Sequence, residues 1–168
     1  MQSFVAALAE RVLGGQSPIV IGLDPRLDAL PTSVAPGAEP AARITAFYRQ
    51  ALPAIARHAP AVKPNIAFFE QYGAAGYAAY ETTCAEARRC GLLVVGDIKR
   101  GDIGSTAERY AKEAFERYGA DAVTLSPFMG FDSVQPYLKH HAKGAFLLCR
   151  TSNPGGDDLQ NQRLASVE

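Results

Sequence analysis

The sequence predicts an α/β protein in which parallel strands alternate with helices, and three observations support this prediction. Short apolar runs of strand length alternate with stretches in which apolar residues recur every three or four positions. Each apolar run is followed by a helix pattern or a loop, as the crossovers between parallel strands require. Several runs end directly in charged residues, at the edge where parallel α/β folds keep their chemistry. We expect five parallel strands that lie side by side in chain order.

The first half of the chain is predicted to contain two strands and three helices. A helix over 3–13 carries an apolar stripe and is closed by two glycines, and the apolar strand 18–23 follows it. A loop rich in proline, alanine, serine and glycine occupies 28–39. We expect Pro53 to kink the next helix, 41–58, or to divide it into two pieces.

A strand over 59–68 and an alanine-rich helix over 70–90 complete this half. Pro64 implies irregular pairing within the strand, because proline has no backbone N–H to donate to a neighbouring strand. Gly91 follows the helix as its C-terminal stop.

The second half is predicted to contain three more strands. The strand 92–95 leads into charged residues, and the helix 103–118 has the most regular apolar spacing in the chain. The remaining elements are, in order, a strand over 120–125, a loop over 126–130, a short helix over 132–141 and a strand over 145–149.

Length and composition are typical of one soluble globular domain over residues 1–168. Of the 168 residues, 48% are hydrophobic and 20% are charged, and the formal net charge is zero. The sequence has no basic run and no apolar stretch near the roughly 20 residues of a membrane span, so we expect neither nucleic acid nor membrane as a partner. The charged residues within 1–13 also argue against a signal peptide.

Three cysteines bear on the cellular compartment. Cys84, Cys90 and Cys149 are odd in number and lack the Cys-x-x-Cys spacing of metal sites. We therefore expect reduced, mostly buried thiols. Such thiols are typical of a reducing compartment, which favours a cytoplasmic location.

The end of the third strand carries the clearest candidate site. The apolar run 92–95 passes without a turn signal into Asp97, Lys99 and Asp102. Side chains two apart in a strand share a face, so Val95, Asp97 and Lys99 are expected to point the same way. An isolated Asp-x-Lys pair is most often a surface salt bridge, but a second aspartate three residues later favours a functional site.

Residues 97–103, Asp-Ile-Lys-Arg-Gly-Asp-Ile, resemble the Asp-x-Lys-x-x-Asp-Ile signature of the orotidine 5'-phosphate decarboxylase family. The Gly-Ser-Thr that follows resembles the bacterial branch with longer chains. The resemblance implies a TIM (β/α)8 barrel, which usually takes at least about 200 residues. We therefore expect an incomplete barrel of about five parallel strands, equivalent to the first five of eight β/α units and truncated at the C-terminus.

The resemblance also implies roles for seven residues at the strand ends. Lys99 would be the cation and proton donor, and Asp97 would face the departing carboxylate. Asp102 and Lys63 would hold Lys99 charged and oriented. For substrate binding, the residues are Asp24 and Lys63 at the ribose, Thr106 at a sugar hydroxyl in the partner subunit's site, and Ser152 at the pyrimidine. Arg100 and Asn153 receive no role.

The same resemblance implies a cofactor-free decarboxylation of a nucleotide substrate, with no metal. It implies a homodimer with shared active sites, because the family's counterpart of Asp102 comes from the neighbouring subunit. The family's phosphate-binding residues come from strands seven and eight, which lie beyond the five predicted here. We therefore expect the chain alone to turn over orotidine 5'-phosphate poorly or not at all.

Three other interpretations remain open. A related magnesium-dependent sugar-phosphate decarboxylase or lyase would use the same strand end. A Schiff-base aldolase would use Lys99 as a nucleophile, but a lysine flanked by two aspartates should stay protonated. The chain is also consistent with an inactive fragment that binds ligand weakly or pairs with another chain.

Overall fold

The computed structural model describes residues 2–163 of the chain. Within them, five strands form one sheet in the order β1-β2-β3-β4-β5, and every neighbouring pair is parallel. The strands are β1 (Val20–Leu23), β2 (Ala61–Pro64), β3 (Leu93–Arg100), β4 (Ala122–Leu125) and β5 (Gly144–Leu147). The predicted α/β class and the sheet of five parallel strands in chain order are confirmed.

Six α-helices connect or flank these strands in the described part of the chain. They are α1 (Phe4–Leu13), α2 (Pro40–Ile55), α3 (Ala67–Glu70), α4 (Gly73–Arg89), α5 (Gly104–Lys112) and α6 (Gln135–Leu138). Ser3 begins α1 as its N-cap, because its hydroxyl oxygen accepts a hydrogen bond from the backbone N–H of Ala6 at 3.2 Å. No helix within residues 2–163 is both long and apolar enough to cross a membrane.

Helix α2 is continuous, so the prediction that Pro53 divides it into two pieces is wrong. Pro53 lies in the last turn of the helix, where its missing N–H costs a single hydrogen bond close to the end. The helix is held by its buried face, which includes Ile44, Tyr48 and Leu52.

Strand β2 ends at Pro64, short of the predicted end at residue 68. The side-chain oxygen of Asn65 accepts a hydrogen bond from the backbone N–H of Ala67 at 3.3 Å and turns the chain into α3. Helix α3 therefore begins where the end of the strand was predicted, and the helix predicted over 70–90 is observed as α4.

Two later helices also differ from their predicted ranges. The helix predicted over 103–118 is observed as α5 followed by a π-helical turn at Glu113–Arg117. The helix predicted over 132–141 is reduced to α6, because a 3₁₀ turn at Phe131–Ser133 precedes it. The hydroxyl of Ser133 donates to the carbonyl of the residue before this turn at 2.6 Å and holds it in place.

The three thiols are free but only partly match the prediction. Cys84 is buried, Cys90 is half-buried and Cys149 is exposed. Burial raises the pKa of the Cys84 thiol to about 12, so this thiol is an uncharged core group. The expectation of mostly buried thiols therefore holds for Cys84 and is wrong for Cys149.

The sheet separates two apolar layers. The larger layer lies between the sheet and the helices and includes Val62, Val94 and Val123 from neighbouring strands. The smaller layer lies on the other face of the sheet, which we call the inner face, and consists of Phe4, Ala61, Leu93, Val95 and Ala122. Because the strand residues of this layer stand near the beginnings of their strands, α1 closes the inner face at the amino ends through Phe4.

Candidate functional site

The inner face of the sheet changes from apolar to polar toward the carboxyl ends of the strands. Polar residues follow the apolar ones on the same face: Lys63 and Asn65 after Ala61, Asp97 after Val95, and Thr124 after Ala122. Asn65 pairs with Asp97 across β2 and β3, and Val95 pairs with Ala122 across β3 and β4. The register therefore gathers these polar side chains at one edge of the sheet.

Asp97 is the centre of this group, and its side chain is only 4% exposed. Its Oδ2 accepts a hydrogen bond from Lys63 Nζ at 2.7 Å. Its Oδ1 accepts one from Lys99 Nζ and one from the hydroxyl of Thr124, the latter at 2.9 Å. All three partners are donors, so the arrangement suits an ionised carboxylate, which is an acceptor only.

The pKa of Asp97 reflects a competition between burial and hydrogen bonding. Burial raises the pKa, but hydrogen bonds from Lys63, Lys99 and Thr124 outweigh it, and the net pKa lies below the usual value of an aspartate. The ammonium groups of Lys63 and Lys99 therefore favour the ionised form of Asp97.

Strand β3 is irregular where it carries these charges. Its pairing with β4 is regular up to Gly96 and resumes at Arg100, so residues 97–99 lie opposite Thr124 alone. Lys99 has a backbone φ of 42°, in the left-handed region that costs a residue with a side chain about 1–2 kcal/mol. The regular alternation predicted through Lys99 is therefore interrupted, although its ammonium group does meet Asp97.

The hydroxyl of Thr124 binds the irregular segment at three points. Its oxygen accepts hydrogen bonds from the backbone N–H groups of Ile98 and Lys99, each at 3.1 Å. Its proton is donated to the Asp97 carboxylate. One side chain of β4 therefore contacts both the backbone of Lys99 and the carboxylate that pairs with its ammonium group.

Asp24 lies beside this group at the end of β1. Its Oδ1 accepts a hydrogen bond from Asn65 Nδ2 at 2.9 Å. Glycine at position 22 makes room for the carboxylate, because a Cβ there would stand 2.9 Å from Asp24 Oδ2. The structure thus brings together four of the predicted residues, namely Asp24, Lys63, Asp97 and Lys99.

Sequence reasoning missed two residues of this group, Asn65 and Thr124. Each is polar and stands at an inward position just beyond an apolar layer. That change from apolar to polar is visible in the sequence. Its meaning depends on the register between strands, which the sequence pattern does not show.

The other three predicted residues lie outside the hydrogen bonds of this group in the described part of the chain. Asp102 is half-buried, and its carboxylate accepts a hydrogen bond from the backbone N–H of Ile103 at 2.8 Å. Thr106 is exposed in the first turn of α5, and Ser152 is exposed in the loop after β5. Their site roles stay predictions.

Arg100 points away from the charged group and toward the helices. Its Nη2 lies 3.5 Å from Glu70 Oε2, and its guanidinium stands over the ring of Tyr110, 5.1 Å from the centroid. These contacts anchor the end of β3 to α3 and α5.

The sequence of this chain is similar to known proteins of one family. A family model described as "Orotidine 5'-phosphate decarboxylase / HUMPS family" matches residues 17–168. The orotidine 5'-phosphate decarboxylase of Albidiferax ferrireducens is 57% identical over 162 residues, which are 95% of this chain and 54% of the relative. That of Polaromonas naphthalenivorans is 54% identical over 168 residues, or 99% of this chain and 58% of the relative.

Solved structures agree with the sequence relatives. The Leishmania donovani OMP decarboxylase matches with a TM-score of 0.84 at 40% identity, over 97% of this chain and 60% of that one. The UMP synthase of the same organism matches with a TM-score of 0.85 at 40% identity, over 98% and 34% of the two chains. The prediction of part of a TIM barrel, with five parallel strands, is confirmed. The chain spans little more than half the length of the curated relatives it matches.

Proposed function

The chain belongs to the orotidine 5'-phosphate decarboxylase / HUMPS family, and from this we propose that it decarboxylates orotidine 5'-phosphate to uridine 5'-phosphate, a step of de novo pyrimidine biosynthesis. The observation that carries the proposal is the Asp97 carboxylate held between the ammonium groups of Lys63 and Lys99. The proposed reaction uses these side chains alone, without a cofactor.

Lys99 is the proposed cation and proton donor. When the carbon–carbon bond to the carboxylate breaks, carbon dioxide leaves and the electron pair stays on a pyrimidine ring carbon. The ammonium group of Lys99 stabilises this developing charge and then gives its proton to the carbon. The neutral amine regains a proton from solvent.

Asp97 has two proposed effects, which oppose each other in substrate binding. Facing the substrate carboxylate at about 4 Å, it raises the energy of the bound substrate by on the order of 4 kcal/mol at an effective dielectric near 20. That repulsion disappears when carbon dioxide leaves. Its contacts with Lys63 and Lys99 support the second effect, the orientation of the ammonium groups.

The variant Asp97→Ala separates these two effects. If ground-state repulsion matters, substrate binds more tightly while chemistry slows. If orientation of Lys99 dominates, both binding and chemistry weaken. The dissociation constant and the single-turnover rate of the same preparation distinguish the two results.

Asp24 and Lys63 are proposed to bind the ribose. The Asp24 carboxylate accepts a hydrogen bond from the Asn65 amide, and Asn65 lies two positions after Lys63 on the same face. A carboxylate that accepts and an ammonium group that donates can each bind one hydroxyl of the ribose. We propose that Ser152, exposed in the loop after β5, recognises the pyrimidine.

We propose that turnover requires the part of the relatives that this chain does not span. Binding energy from a remote phosphate orients the reacting ring, so losing the phosphate-binding strands lowers turnover as well as affinity. The test compares the chain, with its mass verified, against a full-length enzyme in which it is followed by β/α units six to eight of a curated relative. Full activity of the chain alone contradicts this proposal.

The central experiment is the absorbance assay of the full-length enzyme on orotidine 5'-phosphate. We expect turnover that a metal chelator does not reduce. Loss of activity on chelation would favour the magnesium-dependent alternative. Borohydride trapping of a substrate adduct on Lys99 would favour the Schiff-base alternative.

We further propose a homodimer with shared sites. Asp102 and Thr106 follow β3 on a segment that is largely exposed, outside the hydrogen bonds around Asp97. A symmetric dimer places this segment of one subunit against Lys99 of the other.

Mixing two inactive full-length variants tests the shared site. Lys99→Ala and Asp102→Ala each lack one residue of every site, but a heterodimer of the two contains one intact site. Random exchange makes half of the dimers mixed, so an equal mixture should recover about a quarter of the parent activity. Mixtures that stay as inactive as their components contradict a shared site.

A further inference from the structure

We propose that Thr124 is a positioning residue for the decarboxylation: its single hydroxyl fixes the irregular end of β3 and aims both Lys99 and Asp97. This inference rests on the proposed function for its catalytic consequence. Its structural basis, the backbone of β3, is independent of that function.

The backbone of β3 has more N–H groups at this point than β4 has carbonyls to receive them. Residues 97–99 lie opposite the single residue Thr124, and regular pairing resumes where Ser126 N–H donates to Arg100 O at 2.8 Å. Ile98 is buried, and a buried N–H group needs an acceptor. The side chain of Thr124 accepts from the N–H of Ile98 and from that of the exposed residue Lys99, each at 3.1 Å.

The hydroxyl of Thr124 has no spare hydrogen-bonding capacity in this arrangement. A hydroxyl can donate one hydrogen bond and accept two. Both acceptor positions are taken by the amides of Ile98 and Lys99. The proton is therefore directed at Asp97 Oδ1, which receives it at 2.9 Å.

The left-handed backbone of Lys99 is stable only while its surroundings hold it. Its φ of 42° is one of two positive values among the non-glycine residues described. The hydrogen bond from its N–H to Thr124 opposes relaxation to an ordinary strand conformation. Since the same hydroxyl also binds Asp97, relaxation would change the direction of the ammonium group relative to the carboxylate.

Three variants of the full-length enzyme test the proposal. Thr124→Val keeps the shape and removes the hydroxyl, and Thr124→Ser keeps the hydroxyl. The matched control is Thr83→Val in α4, where a buried hydroxyl donates only to the helix carbonyl of Ala79 at 2.8 Å. Thr124→Ala replaces the valine variant if valine prevents folding.

We expect Thr124→Val to lower kcat about 10- to 100-fold with a smaller change in KM, because small displacements of reacting groups are costly. Thr124→Ser should stay within about threefold of the parent enzyme, since it restores all three hydrogen bonds. Thr83→Val should leave kcat unchanged. A purely structural role for Thr124 would lower the fraction of folded enzyme and leave kcat per folded molecule unaltered.

Amide hydrogen exchange gives a readout that does not depend on activity. In Thr124→Val, the N–H groups of Ile98 and Lys99 should exchange at least about tenfold faster, because their acceptor is gone. The N–H of Val94, which donates to Asp121 at the other end of β3, should not change.

The two proposals fail in different ways. If the parent enzyme does not decarboxylate orotidine 5'-phosphate, the proposed function is wrong, and exchange of the two amides still decides whether the hydroxyl holds β3. If the parent is active while Thr124→Val keeps kcat within about twofold, the positioning role is overturned, whatever the exchange rates show.

Discussion

At the amino ends of the strands, several charged side chains bind the backbone, whereas at the carboxyl ends Asp97 binds the side chains of two lysines. Arg11 donates to the carbonyls of Pro60 and Gly91 at 2.8 and 2.7 Å, just before β2 and β3 begin. Asp121 accepts from the N–H of Val94 at 2.9 Å. These bonds join helix α1 to β2 and β3, and β3 to β4, through backbone carbonyl and N–H groups.

At the carboxyl ends, Asp97 is buried but its two lysine partners are not. The side chains of Lys63 and Lys99 are 36% and 51% exposed. An exposed ammonium group can exchange its carboxylate partner for a ligand without breaking a backbone hydrogen bond. Both ends of the strands use charge, but the partly exposed ammonium groups at the carboxyl ends are bound to a side chain and not to the backbone.

The largest effect is expected for Lys99→Ala in the full-length enzyme. Loss of the proposed cation and proton donor should lower kcat at least about 10³-fold, equivalent to about 4 kcal/mol of barrier, with a smaller effect on substrate binding. Steady-state kinetics with orotidine 5'-phosphate measure both, and the exposed Lys112→Ala is the control. A kcat within about tenfold of the parent would remove Lys99 from the catalytic role.

At the opposite end, Arg11→Ala should affect stability and spare the chemistry. Two carbonyls lose a charged donor, so we expect a loss of about 1–2 kcal/mol in the free energy of unfolding. Urea denaturation measures it, with the exposed Arg57→Ala as control. A large fall in kcat per folded molecule would contradict the prediction that charged side chains at the amino ends of the strands contribute only to stability.

A smaller effect of the same kind is expected for Lys143→Met. Its Nζ donates to the carbonyl of Ala120 at 2.6 Å, just before β4, and methionine keeps most of the side-chain volume. The free energy of unfolding should fall by about 1 kcal/mol, with activity retained. A stability equal to that of the parent would show that this backbone contact is dispensable.

The free energy of unfolding should depend on pH through the carboxylate of Asp97. The pKa of Asp97 is lower in the folded protein than in the unfolded chain, so its ionisation stabilises the fold above the unfolded pKa, about 3.9. This contribution is lost as pH falls through the folded pKa. The free energy of unfolding should therefore change less between pH 7 and pH 3 in Asp97→Asn than in the parent. An identical pH dependence would show that Asp97 does not contribute.

Much of the fold followed from local sequence patterns. Apolar runs of strand length and intervening helical periodicity predicted five parallel strands in order, because alternation and helical spacing act over a few residues. The predicted strands 18–23 and 92–95 lead into Asp24 and Asp97, and Lys63 lies within the predicted strand 59–68. Asp24, Lys63, Asp97 and Lys99 could therefore be named from the sequence and its resemblance to a family.

Tertiary structure decided where local preference and packing disagree. Pro53 predicted a divided helix, but burial of one face keeps α2 continuous. Residues after Pro64 predicted more strand, but the side chain of Asn65 turns the chain into α3. In each case a contact or a buried surface outweighed an intrinsic backbone preference.

The positions of Asn65 and Thr124 in the site depended entirely on the register between strands. Thr124 meets Asp97, which lies 27 positions away in the chain, only because three residues of β3 stand opposite one residue of β4. The sequence by itself determined which residues carry charge and which strands bear them. Only the packed sheet decided which of those groups share a hydrogen bond, because register is set by long-range packing and not by local periodicity.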